Sequence, residues 1–269
     1  MDEHRYFPNL DRLSMVTAMV LLAYSSAAFI HIPTNSLSLQ LPGFLFVIQI
    51  NFFTILSLVV LGMAAAGTDW VIAGHPHIGE ESRWRHWFLP ALTALVIGVP
   101  LNEIAVSAAW WIIFGMGGLL FAGVLISEYI SVDLSDLLYP VAVVSLSVVS
   151  MALFLILTIA VRGAGLRLYA IFSAIIPAAA LVCGRILSLR LPGKWLLPWI
   201  TAITVIMAQF AFSLFYFPLK PIQFGLILFG LAYALISLVV NIEEGVSTKR
   251  FWVEPAVMFL VILILSFIL

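Results

Sequence analysis

This sequence has very little charge and almost no cysteine. Of its 269 residues only 9% are Asp, Glu, Lys or Arg, while 64% are apolar. A soluble domain carries roughly 25% charged and 45–50% apolar residues. A chain this poor in charge cannot clothe a single aqueous core, so its solvent is a lipid bilayer. The one cysteine, Cys183, lies inside an apolar run. That excludes a disulfide framework and a cysteine metal cluster, and leaves a small packing residue. Net charge is −1, which supplies no basic face and no reason to expect a nucleic-acid partner. The motifs of several chemistries are also missing. There is no Gly-rich phosphate loop of the Walker type, no His-Glu-x-x-His pair, no G-x-S-x-G elbow and no aspartate-rich motif for a prenyl diphosphate.

Long apolar runs are what the chain does have. A spanning helix needs about 20 apolar residues. The runs place helices near 14–32, 41–66, 86–101, 104–127, 137–161, 166–188, 195–217, 221–241 and 252–269. The expected fold is all-α: a polytopic integral membrane helix bundle of about nine transmembrane helices. The third run is short, and Pro100 with Asn102 and Glu103 interrupts it before the next. The leader MDEHRYFPNLDRLS and the later SSAA imitate a cleaved signal peptide, but the leader's mixed charge reads as the approach to a retained first helix.

Basic residues orient the spans, because cytoplasmic loops hold their excess. With nine spans and the N-terminus inside, only Arg162, Arg167 and Lys220 of the twelve Lys and Arg fall outside, leaving nine inside. A single crossing over 86–127 moves every later loop to the other side and blurs that asymmetry. The expectation is therefore a cytoplasmic N-terminus.

Two stretches echo each other. WFLPALTAL (87–95) and WLLPWITAI (195–203) share Trp, Leu, Pro, Thr and Ala in register. Phe114-Gly115 and Phe229-Gly230 follow, and then Pro140 and Pro255. A parallel internal repeat would match spans 3–5 with spans 7–9. The chain reads as one transmembrane domain, 1–269, divisible into sub-units 1–136 and 137–269.

Ionisable groups within the spans lie near their ends, as His31, Glu103, Arg185 and Glu254 do. Such groups snorkel to headgroups or cap helices. Arg185 and Arg190 suit anionic lipid at the inner leaflet. The polar groups expected at mid-depth are amides: Gln49 and Asn51 in span 2, and Gln209 in span 7. They either hydrogen-bond between helices or line a cavity for a polar or amphipathic ligand. Pro177 should kink span 6. GMAAAG (62–67) and GMGG (115–118) are small-residue faces suited to close packing.

The densest polar stretch is GTDWVIAGHPHIGEESRWRHW, 67–87. Asp69, His75 and His77 form a candidate metal set, with Glu80, Glu81 or His86 as alternative third ligands. The proline between His75 and His77 forces an extended or turned backbone, so the two rings do not share a face as helical i, i+4 ligands do. The competing reading is a connector on the inner membrane surface: its glycines mark a loop, and Trp84 and Trp87 anchor it beside Arg83 and Arg85. No cofactor is expected.

AAAGTDWVIAGHP (64–76) and SEYISVD (127–133) resemble uncharacterised multi-pass membrane families of bacteria with no assigned activity. The resemblance implies residence in a bacterial inner membrane and carries over no catalytic residue. Three functional classes follow. The first is a non-catalytic accessory or scaffold subunit, whose partners are membrane lipids and other membrane subunits. The second is a small carrier or lipid-binding protein. The third is a membrane enzyme with a polar site at the cytoplasmic interface, and the balance leans away from it.

Overall fold

The computed structural model describes residues 7–30, 35–41, 44–50, 52–76, 78, 83–194, 196–246 and 251–268. Among them are nine α-helices: α1 Leu10–Phe29, α2 Phe52–Ile72, α3 Phe88–Glu103, α4 Ala108–Ile130, α5 Tyr139–Gly163, α6 Leu168–Arg190, α7 Leu197–Phe215, α8 Pro221–Glu243 and α9 Val253–Ile268. Seven are long and apolar enough to cross a membrane. The protein is a predominantly helical, multi-pass membrane bundle. The exceptions are α3 and α9, 16 residues each. At 1.5 Å per residue each reaches about 24 Å, short of the roughly 30 Å hydrocarbon layer.

One expected helix is half wrong. The run 41–66 does not form a single span. Its first part belongs to an antiparallel hairpin, β1 Asn35–Leu41 paired with β2 Phe44–Ile50, and the helix starts only at Phe52. The local chemistry explains the switch. Ser36-Leu37-Ser38-Leu39-Gln40-Leu41 alternates polar and apolar with period two, and FLFVIQI is rich in aromatic and branched residues. A two-stranded hairpin has open edges, and open edges do not lie against lipid hydrocarbon. This segment therefore lies between α1 and α2 and is not part of a spanning helix.

The chain divides into two compact units, Met1–Asp136 and Leu137–Leu269. In the first, α1, α2, α3 and α4 pack around a core that includes Val20, Tyr24, Val60, Ala94 and Phe121. Glycines set how closely these helices approach. Gly67 of α2 faces Val16 of α1 too closely for a Cβ. A Cβ at Gly98 of α3 would stand 2.6 Å from the Tyr24 hydroxyl, and one at Gly117 of α4 would stand 2.6 Å from the Ile97 side chain. Tyr24 is wholly buried and donates to the Ala94 carbonyl at 2.7 Å, tying α1 to α3. The expected small-residue faces are thus contact faces, at Gly67 and at Gly117 and Gly118, whereas Gly62 and Gly115 meet nothing.

Pro100 does not end α3. The helix continues to Glu103, and the Ile104 amide donates to the Pro100 carbonyl. A proline lacks only its own donor, so its carbonyl still serves the turn that follows.

In the second unit α5 packs on α6 and α8, α6 on α7, α7 on α8, and α9 chiefly on α8. Pro177 lies inside α6 and faces outward. Two buried hydroxyls of α5 return to their own helix: Ser150 donates to the Leu146 carbonyl at 2.6 Å and Thr158 to that of Phe154 at 2.9 Å. Glu243 closes one end, accepting from Lys194 Nζ and from Trp199 Nε1, each at 2.8 Å. Pro90 and Pro198, two residues of the sequence echo, both fall in the first turn of their helices, α3 and α7.

Gly98→Val should lower stability by about 1–3 kcal/mol through overpacking against Tyr24, read as thermal unfolding in detergent. Gly115→Ala, where a Cβ meets nothing, should leave stability unchanged or slightly raised. Equal losses for both variants would show that close approach at Gly98 does not matter.

Candidate functional site

Direction alternates along α1 to α4, so the start of α1, the end of α2, the start of α3 and the end of α4 share one end of the first unit. The polar stretch 67–87 lies here. A single 3₁₀ turn, Arg83–His86, leads into α3.

Its centre is a buried carboxyl group that meets an imidazole. Glu128, in the last turn of α4, has no exposed side-chain surface. Its Oε2 lies 2.8 Å from His86 Nδ1. Ser131 Oγ donates to the Glu128 carbonyl at 2.9 Å and stands 3.5 Å from the same Oε2. A buried carboxylate is costly unless paired and hydrogen-bonded. The imidazole meets that requirement and in doing so pins the 3₁₀ turn to α4.

Three further contacts surround the pair. Trp87 Nε1 donates to Asp69 Oδ1 at 3.3 Å, joining the start of α3 to α2. Arg12 of α1 donates to the Trp70 carbonyl at 3.0 Å and lies over the Trp70 ring, 5.3 Å from its centroid. Tyr129 of α4 meets the Gly74 carbonyl at 3.5 Å, and the buried His75 ring packs edge-on against it at 4.7 Å. Gly74 leaves room for the arginine, since a Cβ there would stand 3.1 Å from Arg12 Nη1. At the rim Trp84 is exposed and packs on Phe88.

The site residues expected from sequence land as follows. Asp69 goes to Trp87 and His75 to Tyr129. His77, Glu80 and Glu81 lie outside the described residues. Among the described residues no group of three His, Cys, Asp or Glu side chains is placed to hold a metal. Gln49 is not in the middle of a helix: it sits in β2, paired in register with Ser36. Asn51 and His31 lie outside the described residues. Gln209 is exposed on α7, in the second unit. Sequence reasoning passed over Glu128, Tyr129 and Arg12 as members of this end. The available signal was a lone acid in the last turn of an apolar helix, where burial needs a partner.

Chemically, a histidine held by a carboxylate is the orienting half of an acid–base unit. Two clefts among the described residues do not include it. One cleft lies at the other end of the first unit, between Phe52, Phe53, Glu103 and Trp110, and one lies in the second unit.

Fold and site together define a polytopic helical membrane protein with a polar brace at one end of its first unit. The chain belongs to a family described as proteins of unknown function, DUF5656, which it matches over residues 32–269. That stretch takes in every member of the brace except Arg12. No curated protein and no solved structure matches the chain.

Removing one partner of a buried pair costs about 3–5 kcal/mol. His86→Ala and Glu128→Ala should each fall near the lower figure in equilibrium unfolding followed by tryptophan fluorescence, and the double variant should lose clearly less than their sum. Additive losses would mean that the two side chains are not coupled.

Proposed function

We propose that this protein is a non-catalytic accessory or scaffold subunit of a larger membrane assembly. One observation carries the reading: among the described residues, the polar side chains gathered at this end of the first unit are engaged in bracing helix ends. Glu128 faces His86, Asp69 holds Trp87, and Arg12 holds the Trp70 carbonyl. Each bond joins two different elements of the first unit. Groups spent in this way make a rigid end for a bundle that exposes many large apolar side chains, as a subunit embedded among lipids and other subunits requires. Under this reading the chain needs no resident cofactor or metal and binds no nucleic acid. It resides in a bacterial inner membrane with a cytoplasmic N-terminus.

Two measurements test the proposal. The first is mass in a mild detergent after extraction from native membranes. The expected result is a complex of defined stoichiometry containing this chain and at least one different membrane protein. A monodisperse monomer, or stoichiometric metal at Asp69 and His75, overturns the reading. The second is sidedness. Cys183 is fully buried, so an introduced cysteine is the reactive thiol. Ser135→Cys, between α4 and α5, should be labelled only from the cytoplasmic side, and Leu166→Cys, between α5 and α6, only from the opposite one. The reverse pattern overturns the orientation.

A further inference from the structure

The second unit carries a cleft of about 360 Å³ on the face shared by α5, α6 and α8, within the size range of small-ligand sites. Its polar and apolar parts are separated along its length. Direction alternates from α5 to α8, so the start of α5 lies beside the ends of α6 and α8. Ser147 in the third turn of α5, Ser237 near the end of α8 and Arg190 as the last residue of α6 therefore share one end of the cleft. Leu155 and Phe229 line the other end, with Met151 and Ala152 between. Val148 and Ala152 are exposed, so the cleft opens sideways to whatever surrounds the helices.

Two groups at the polar end lack what such groups ordinarily have. Ser147 is only 8% exposed, yet its hydroxyl has no hydrogen-bond partner. Ser150 and Thr158 on the same helix both return to the carbonyl four residues back. A buried hydroxyl left unpaired is unfavourable and is normally satisfied by something. Arg190 is exposed at the mouth, and no acid among the described residues pairs with it.

We propose that this cleft is a binding site for an acidic phospholipid. The phosphodiester sits against the Arg190 guanidinium, which suits phosphate oxygens in a bidentate manner. The Ser147 hydroxyl turns to donate to an ester carbonyl below the headgroup. One acyl chain runs along Met151, Ala152 and Leu155 to Phe229. The order of groups along the cleft, cation, then hydroxyl, then apolar wall, is the order of groups along a phospholipid. The side opening lets the lipid enter from its own leaflet. An anionic headgroup is chosen over a zwitterionic one because, among the described residues, the cleft lining carries a cation and no acid. The inference rests on the cleft alone and is independent of the subunit reading.

The test uses the full-length protein in bilayers of equal parts phosphatidylglycerol and phosphatidylcholine, extracted in mild detergent and weighed by native mass spectrometry. One basic residue near an anionic surface contributes about 1 kcal/mol, so phosphatidylglycerol should be retained about fivefold over phosphatidylcholine. Arg190→Gln should bring that ratio to about one while phosphatidylcholine is still carried. Ala152→Trp, which fills the open wall, should remove both lipids. Both positions are exposed, and a thermal unfolding profile matching the parent identifies variants that remain folded. Saturating inorganic phosphate should leave the lipid bound. The proposal is overturned by equal retention of the two lipids in the parent, by a preference that survives Arg190→Gln, by full retention in Ala152→Trp, or by displacement with phosphate alone.

Discussion

A carboxylate with no exposed surface must be satisfied by the protein itself, and much of the first unit follows from how Glu128 is satisfied. It stands in the last turn of an apolar helix, where burial of an unpaired charge is prohibitive. His86 supplies the partner at 2.8 Å, but His86 precedes α3. The pair therefore fixes where the chain arrives before that short helix can begin. Once the 3₁₀ turn is held, Trp87 reaches Asp69 on α2, and Tyr129, adjacent to Glu128, packs against His75. One electrostatic requirement thus gathers the ends of α2 and α4 and the start of α3.

The rest of the first unit depends on a complementary constraint, closeness without side chains. Gly67, Gly98 and Gly117 sit where a Cβ would strike a neighbouring helix. Between helices in lipid the hydrophobic effect offers no preference, so association relies on packing and hydrogen bonds. The Tyr24 hydroxyl can bond the Ala94 carbonyl because α3 has no side chain at 98 to hold α1 away. In the second unit the balance differs. Gly225 brings α8 onto α5 near Thr158, while a cleft remains further along the same pair of helices, beside Ser147 and Ser237.

Membership of a family of unknown function over residues 32–269 gives a place among relatives without giving an activity. The physical content then lies in how polar groups are used. At one end of the first unit they face each other across helix ends. In the second unit Ser147 and Arg190 face a cleft with an apolar floor. The two arrangements differ in kind, the first bracing the protein and the second presenting unused bonding capacity to a ligand.

Composition by itself determined the class of object: 9% charge in 269 residues admits no solvent but lipid for a helical chain of this length. Apolar run length located most of the helices, because a bilayer sets how long a span must be. It failed over 41–50, where length and hydrophobicity fit the start of a span but a hairpin with the alternating stretch before it formed instead. Gln49 was lost as a mid-helix amide for the same reason. The stretch 67–87 was legible as polar, and Asp69 and His75 stood out in it as candidate metal ligands. Which partners they have was decided by tertiary structure alone: Asp69 accepts from Trp87 at the start of the next helix, and His75 packs on Tyr129, more than fifty residues further along the chain. No local pattern relates positions so far apart. Burial does, because a charge removed from water must find its counterpart in whatever part of the chain folds beside it.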